Sequence, residues 1–257
     1  MVTLKMVQKD APWTWLKAGW SDLSRAPLVS IGYGVIFAGF GLLITGGLWL
    51  AGLASFIPVA TAGFALIAPA FAIGFYQVSR KLDAGETPRF SHVWLLRPAK
   101  ISQVALLGVF LIVLFLMWIL IAQALVVAFA PGQLLSMGDL LEFVLTDPQG
   151  LTLLVVGSLF GGILALMAFS ISAISFPMLV DQEVDAVTAL VASVKAVLTQ
   201  PFVMLTWAWI IAFCVLLGFA GLVIGVAVVF PWLGHASWRA YQDFAPSPSS
   251  SRPAVVV

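Results

Sequence analysis

The chain has 257 residues, of which 62% are hydrophobic and only 9% are charged, and its formal net charge is +1. Soluble domains carry roughly 25% charged residues, so this composition excludes an ordinary soluble globular domain, whose surface such a chain could not cover. It indicates an all-α protein that crosses a membrane several times.

Four long stretches lack Asp, Glu, Lys and Arg: residues 26–79, 101–138, 148–180 and 196–238. A bilayer core about 30 Å thick needs roughly 20 apolar residues per helix, so the first and last stretches each hold two spans and the others one. The last stretch can turn at one of three glycines, Gly218, Gly221 or Gly225. The sequence thus predicts six transmembrane helices, at about 28–53, 56–79, 101–130, 151–180, 202–219 and 221–238.

The distribution of basic residues predicts the orientation. With six spans and the N-terminus inside, all twelve Lys and Arg fall in the inside segments 1–27, 80–100, 181–200 and 239–257. The outside loop 131–150 has acidic residues but no Lys or Arg. Basic residues are retained in the cytoplasm during insertion, so both termini are predicted to be cytoplasmic. A five-span arrangement would place Arg239 and Arg252 outside.

The two ends of the chain are predicted from composition. The first apolar run begins near Leu28, too far into the chain and too long for a cleaved signal peptide. The tail "APSPSSSRPAVVV" is rich in Pro and Ser, which is typical of disorder. We therefore predict one integral membrane domain, residues 1–243, and a disordered cytoplasmic tail, residues 244–257.

Two segments that precede predicted hairpins share one apolar spacing. Before Pro27, four apolar residues follow one another at intervals of three, four and three: Trp13, Leu16, Trp20 and Leu23. Before Pro201 the same intervals separate Val187, Leu190, Val194 and Val197. With polar groups on the opposite side, such helices are too charged to span a membrane but can lie in its interface. The segment "FSHVWLLRPAK" (90–100) keeps a rough stripe before the middle hairpin. The sequence predicts three hairpins, each preceded by a cytoplasmic interfacial amphipathic helix.

The segment 181–200 is the clearest of these helices. Thr188 lies on the polar face, and Pro201 ends the segment. The apolar stripe, which we expect to be buried along the inner membrane surface, is Val184, Val187, Val191, Val194 and Leu198.

Three separated segments carry a family resemblance: "GFALIAPAFAIGFYQVSRKLDAGETPRF" (63–90), "SFPMLVDQEVDAVTALVASVKAVLTQP" (175–201) and "FPWLGHASWRAY" (230–241). They resemble the bacterial inner-membrane family called domain of unknown function 2189, over roughly residues 15–243. The resemblance implies a multi-pass membrane protein without an established activity. Some members of the family carry the label cytochrome c oxidase subunit I.

The histidines test that label. Haem–copper oxidase subunits need about six histidines as ligands, whereas this chain has two, His92 and His235, so an oxidase catalytic subunit is excluded. A single haem b held by both histidines is the alternative. We instead interpret one aromatic group as an anchor in the inner headgroup region: Trp232, His235, Trp238 and Tyr241.

Other chemistry is sparse in the sequence. Ser170, Ser172 and Ser175 near Pro177 either line a polar gap between helices or satisfy carbonyls freed by the proline. The single cysteine, Cys214, offers neither a disulfide nor a thiolate metal site. We expect no catalytic, cofactor-binding or metal-binding residue.

Two classes of function follow. The first is a non-enzymatic protein of the bacterial inner membrane that acts as an accessory or organising protein through lipids, other membrane proteins or a second copy, without nucleic acid. The alternative is a transporter or channel for a small neutral or lipid-like solute, since internal repeats and broken helices are common in transporters. A membrane enzyme is the least favoured class.

Overall fold

The computed structural model describes residues 4–94, 98–130, 136–220 and 222–245. The regular structure of these residues is helical throughout, as the composition predicted. Two 3₁₀ segments, Ala54–Phe56 and Phe90–Trp94, precede α3 and α5. The α-helices are α1 (Ala11–Arg25), α2 (Pro27–Leu50), α3 (Ile57–Phe71), α4 (Ile73–Asp83), α5 (Pro98–Phe129), α6 (Met137–Thr146), α7 (Pro148–Ser172), α8 (Ser175–Asp181), α9 (Ala186–Thr199), α10 (Pro201–Ala220) and α11 (Leu222–Phe244).

Five stretches of the described residues are long and apolar enough to cross a membrane: Pro27–Leu50, Ala54–Asp83, Lys100–Phe129, Pro148–Asp181 and Pro201–Phe219. They coincide with the first five predicted spans. The sixth predicted span, 221–238, coincides with α11, which is one continuous helix but is not among the five. The second half of α11 carries His235, Arg239 and Asp243.

Prolines set where several helices begin. Pro27, Pro148 and Pro201 are each the first residue of a helix. At that position the missing N–H leaves no helical hydrogen bond unmade, and the ring already holds φ near its helical value. The ends of the interfacial segments predicted from Pro27 and Pro201 therefore agree with the helix boundaries.

Two of the apolar stretches are interrupted near one end. α3 gives way to α4 at Ala72, three residues after Pro69, and α7 gives way to α8 just before Pro177. A proline within a helix removes a donor and clashes with the preceding turn. At the second break the N–H of Ile174 donates to Oγ of Ser193 on α9 at 3.1 Å. The N–H of Ile174, which lies between the two helices, is thus satisfied by a neighbouring helix.

α11 lies at the centre of the packing and contacts α1, α2, α4, α8 and α10. Glycines allow its closest contacts. A Cβ atom on Gly19 of α1 would lie 2.6 Å from the backbone nitrogen of Ala236, and one on Gly34 of α2 would collide with the carbonyl oxygen of Ala227. Small residues at helix contacts let backbones approach each other closely, so these two positions fix how α1 and α2 meet α11.

An aromatic cluster fills the space between α2, α4 and α11. The rings of Tyr33 and Phe37, and those of Tyr33 and Phe75, meet edge to face at 4.9 Å between centroids. Phe230 meets both phenylalanines in the same way at 5.2 Å. Edge-to-face contacts of this kind add to the energy of burial and join the three helices into one core.

α9 has two apolar faces, and the face that packs against the protein is not the predicted valine stripe. The buried face is made mostly of small residues and includes one valine: Ala186, Ala189, Ala192, Ser193, Ala196 and Val197. Three residues of the predicted stripe lie outside, since Val187 is 63% exposed, Val191 54% and Leu198 74%. The other two, Val184 and Val194, are partly buried. α1 is similar, since it buries Trp15 and Gly19 while Trp13 and Trp20 are exposed.

The loop predicted outside the membrane contains a helix that the sequence did not predict. α6 begins with a capping box, in which the N–H of Asp139 donates to Oγ of Ser136 at 3.2 Å and the Asp139 carboxylate accepts from the N–H of Ser136. The Ser-x-x-Asp spacing is its local signal. Several predictions fall outside the described residues: a turn at Gly221, the stripe at residues 95–97, and the tail from residue 246.

Candidate functional site

The most polar part of the interior lies at one end of the helices. It comprises the C-terminal ends of α1, α4, α8 and α11 and the first turns of α2, and we call it the polar end. Six of its side chains form one set of hydrogen bonds, which we call the His235 network: Asp22, Ser30, Ser79, Asp83, His235 and Arg239.

His235 is held between two serine hydroxyls. Its Nε2 lies 2.9 Å from Oγ of Ser30, and its Nδ1 lies 2.8 Å from Oγ of Ser79. All three side chains are completely buried. Oγ of Ser79 also donates to Oδ2 of Asp22 at 2.9 Å.

These contacts assign the protons. A hydroxyl has one proton to donate, and that of Ser79 goes to the Asp22 carboxylate. Ser79 therefore accepts from Nδ1–H of His235. In the neutral imidazole Nε2 is then an acceptor, and Ser30 donates to it. Hydrogen bonds thus run in one direction, from Ser30 through His235 and Ser79 to Asp22.

Arg239 joins two carboxylates from different helices. Its Nε and Nη2 bind the two oxygens of Asp22 on α1 at 2.9 and 2.6 Å, and its Nη1 binds Oδ1 of Asp83 on α4 at 2.7 Å. Burial opposes the charged guanidinium, but the hydrogen bonds and attraction to both carboxylates outweigh it and raise the pKa of Arg239. The planar fork suits this two-point pairing.

Asp83 receives further donors from α11. Nε1 of Trp238 donates to its Oδ2 at 2.9 Å, and Nε2 of Gln242 donates to the same oxygen at 2.8 Å. One turn of α11 therefore supplies three donors to a single carboxylate. This arrangement fixes the end of α4 against α11.

A second group of contacts joins α11 to the end of α8. The hydroxyl of Tyr241 donates to Oδ2 of Asp181 at 2.6 Å and accepts from Nε2 of Gln182 at 2.8 Å. Burial, and then the bond to Asp181, raise the pKa of the Tyr241 hydroxyl, so it stays protonated. Arg80 and Lys100 both donate to the carbonyl of Val180, at 2.9 and 3.0 Å; cations at a helix C-terminus are favourable.

The structure places the four predicted anchor residues as follows. His235, Trp238 and Tyr241 are at most 2% exposed and face other helices. Trp232 is partly buried; its indole donates to the carbonyl of Leu16 at 2.8 Å, and its ring packs against the exposed Trp20. Membrane anchoring by these residues stays a prediction, and Trp232 is the member of the group with surface for it.

The three predicted serines all lie at the α7–α8 break. Ser170 and Ser175 donate to the carbonyls of Leu166 and Ile171, four residues earlier, and Ser172 is 2% exposed. Two of the three hydroxyls thus bond to backbone carbonyls of α7. Neither acceptor is the carbonyl of Ala173, which is the one that the missing N–H of Pro177 leaves free, so both predicted roles of these serines stay predictions.

The residue types of the His235 network are those of a hydrolase triad, but their order is different. In a triad the histidine lies between the nucleophile and the carboxylate, whereas here Ser79 lies between His235 and Asp22. Asp22 is neutralised by Arg239 and only 2% exposed. The arrangement holds helices together and leaves no activated hydroxyl at a surface.

The ligand chemistry of the histidines follows from the same contacts. Both ring nitrogens of His235 are bonded to serines, so ligation of haem or metal would first have to break one of these bonds. Nδ1 of His92 accepts from the N–H of Arg89 at 3.0 Å. Among the described residues, no three His, Cys, Asp or Glu side chains form a group that could hold a metal ion.

Most of this network was not predicted from the sequence. Of its members, only His235 and Arg239 enter the predictions above, His235 as an anchor and Arg239 through the orientation. Ser30 and Ser79 were not singled out. The sequence did contain one signal for the network: charged residues lie beside the buried face of an amphipathic helix, as Asp22 does on α1.

Comparison with known proteins gives one match. The model of a family described as predicted integral membrane protein (DUF2189) matches residues 56–181. The matched range includes the first of the three signature segments and the start of the second, and it ends before the third. No curated protein and no solved structure matches the chain.

Proposed function

The chain belongs to the family called domain of unknown function 2189, whose members are described as predicted integral membrane proteins. From that premise we propose a non-enzymatic role in the bacterial inner membrane. The protein acts as an accessory or organising protein, and it does so through lipids and neighbouring membrane proteins. Neither a substrate nor a cofactor is needed for this role.

One observation carries the proposal: the buried polar groups are bonded to one another, while the outward faces of the spans are apolar. The His235 network commits its hydroxyls, imidazole and ion pairs to contacts within the protein. Outward, Leu43 on α2, Leu120 on α5 and Val155 on α7 are 73%, 69% and 66% exposed. Such a surface offers contacts to lipids and to other membrane helices.

We further propose that α11 is the sixth span, with both termini in the cytoplasm. α10 and α11 pack against each other, and Gly218 of α10 lies beside Gly225 and Val229 of α11. The polar end then faces the cytoplasm, where all twelve basic residues fall. The second half of α11 leaves the bilayer within protein, since α1, α4 and α8 enclose it.

The interfacial placement of α1 and α9 belongs to the same proposal. Each has one face against the protein and a second apolar face exposed, with Trp13 and Trp20 on α1 and Val187 and Val191 on α9. A helix with this pattern lies stably at the border between headgroups and acyl chains. Three hairpins make up the proposed repeat, and before the middle one the described residues form the 3₁₀ segment Phe90–Trp94 where α1 and α9 are α-helices.

One observation favours the alternative of a transporter or channel. The short helices that follow the two breaks, α4 and α8, contact each other and α11, as interrupted helices do around transport sites. Phe75 and Phe176 are completely buried there, so a path for a solute would require these rings to move.

Purification directly from membranes distinguishes the two functions. The full chain is extracted into lipid-containing nanodiscs, and bound protein, lipid and small molecules are quantified by mass spectrometry. A stoichiometric protein partner, second copy or lipid supports the proposed role. A single chain with one bound neutral solute, released when Phe75 or Phe176 is replaced by alanine, would overturn it.

A further inference from the structure

The outward face of α10 carries large aromatic and leucine side chains along most of its length. Val203, Met204 and Trp207 are at most 4% exposed and face the protein. On the other side, exposed by between 46% and 73%, a continuous stripe at helical spacing runs along the span: Phe202, Leu205, Trp209, Phe213 and Leu216.

Trp209 is the unusual member of this stripe. It is 73% exposed and lies near the middle of the 19-residue span Pro201–Phe219, about 12 Å from the Pro201 end at 1.5 Å per residue. Tryptophan in membrane proteins is concentrated at the interfaces, where its N–H meets water and headgroups. At the middle of the hydrocarbon an exposed indole N–H has no acceptor in lipid.

An acceptor of the required kind lies beside this stripe. Thr206 is one turn before Trp209, and its hydroxyl donates to the carbonyl of Phe202 at 2.7 Å. That bond uses the proton of the hydroxyl and leaves its oxygen able to accept. Thr206 is partly exposed and Trp209 is 73% exposed, so both side chains are accessible from outside α10.

We propose that this stripe is the contact between two copies of the chain, related by a two-fold axis along the membrane normal. In such an interface the same surface of both copies takes part. Every contact from the first copy to the second is therefore matched by the same contact from the second to the first. Helical side chains lean toward the N-terminus, so each Trp209 reaches the level of Thr206 on the other copy and its N–H donates to that hydroxyl. Because the surface of α10 holds both the donor, Trp209, and the acceptor, Thr206, two copies of it can satisfy each other. We therefore favour a second copy over an unrelated protein as the partner.

The inference rests on the proposed function, because it names a second copy as the membrane partner. Cysteine crosslinking in native membranes tests it. In a Cys214→Ala background, Leu216→Cys on the stripe is compared with Leu120→Cys on α5, which has nearly the same exposure, 69% against 67%. Oxidation should convert most of the Leu216→Cys chain into a disulfide-linked dimer and leave the Leu120→Cys chain at the level of random collisions.

The hydrogen bond is tested separately. Trp209→Phe removes the N–H and keeps an aromatic ring, and Thr206→Val removes the hydroxyl and keeps the shape. Each should lower the crosslinked fraction of Leu216→Cys several-fold, whereas Trp49→Phe, at an exposed tryptophan of α2 (62%), should leave it unchanged.

Equal crosslinking at Leu216→Cys and Leu120→Cys would overturn the dimer. A dimer that survives both Trp209→Phe and Thr206→Val would overturn the assigned contact. If crosslinking fails but a different protein co-purifies in stoichiometric amount, only this inference is lost and the proposed accessory role stands; if a bound neutral solute is found instead, the proposed function is lost.

Discussion

Arg239 of α11 and Asp22 of α1 form a two-point ion pair, with Nε–Oδ2 and Nη2–Oδ1 distances of 2.9 and 2.6 Å, although 217 residues separate them. The pair lies where α1 crosses α11, and the Asp22 side chain is 3% exposed. A desolvated carboxylate needs a compensating charge, so this contact determines whether α1 docks correctly.

Replacing Arg239 should therefore destabilise the protein strongly. Arg239→Met leaves the Asp22 carboxylate buried without its partner, and we expect a loss of about 3–5 kcal/mol, measured as thermal stability of the purified protein in detergent. Arg25→Met is the control, because Arg25 is half exposed and 3.8 Å from the same carboxylate; its effect should stay below about 1 kcal/mol. The double variant Asp22→Asn with Arg239→Met should recover part of the loss, and equal effects of the two single variants would contradict the assignment.

Glycine substitutions on α2 test the packing of α11. A Cβ atom on Gly34 meets the backbone of Ala227 and the ring of Pro231, whereas one on Gly39 meets nothing within 4 Å. Gly34→Ala should cost about 1–3 kcal/mol through overpacking, while Gly39→Ala should be neutral or stabilise by up to about 1 kcal/mol. Unfolding midpoints of both variants, measured in the same detergent, give the comparison; a neutral Gly34→Ala would show that α2 and α11 do not touch there.

The apolar spans were predictable because the signal is local. Twenty neighbouring residues without a charge identify a span whatever the rest of the chain does, and the five candidate spans in the described residues agree with the prediction. Prolines at Pro27 and Pro201 act on their own turn of helix, so these boundaries were predictable too. The His235 network was not, because Ser30 and Ser79 are 205 and 156 residues from His235.

Periodicity alone does not distinguish a lipid-facing stripe from a protein-facing one. On α9 the valines and the alanines each recur at helical spacing, and both faces are apolar. Bulky side chains suit contact with lipid, whereas small ones let helices approach closely. The protein accordingly packs against Ala189, Ala192 and Ala196 and leaves Val187 and Val191 outside.

Haem binding is tested by absorbance. Because both nitrogens of His235 bond to serines, the purified protein should show no Soret band, and replacing His92 and His235 by alanine should not change the visible spectrum. Total haem is assayed in the same samples after expression with added haem precursor. A stoichiometric haem b that is lost in either histidine variant would contradict the assigned hydrogen bonds.

Reporter fusions test the proposed topology. Fusions at Gly85, Gln182 and Pro248 should report the cytoplasm, and fusions at Gln133 and Gln149 the periplasm, because all basic residues then lie inside. A paired reporter, active on one side of the membrane only, gives each site an internal control. A periplasmic signal at Pro248 would remove α11 as the sixth span, and the proposed three-hairpin repeat would fail with it.

The exposed stripe of α9 gives a test of its place at the membrane surface. Asp185 caps the helix by accepting from the N–H of Thr188 at 2.9 Å. This bond lowers the pKa of the Asp185 carboxyl, so the N-cap side chain stays charged. Val191, 54% exposed and outside the alanine face, then points into the acyl chains if the helix lies in the interface. Burying a valine or leucine side chain contributes about 1.5–3 kcal/mol.

Val191→Asp and Val194→Asp should therefore lower the yield of folded, membrane-inserted protein far more than Thr188→Asp, which adds a charge beside the helix start. Yield is measured by fluorescence-detected size exclusion of a C-terminal fusion, normalised to total expression. Contacts within the protein alone would predict a modest effect at Val191, since its side chain faces away from the other helices. Equal yields for all three variants would show that the outer face of α9 lies in water. The proposed repeat would then lose the clearest of its interfacial helices.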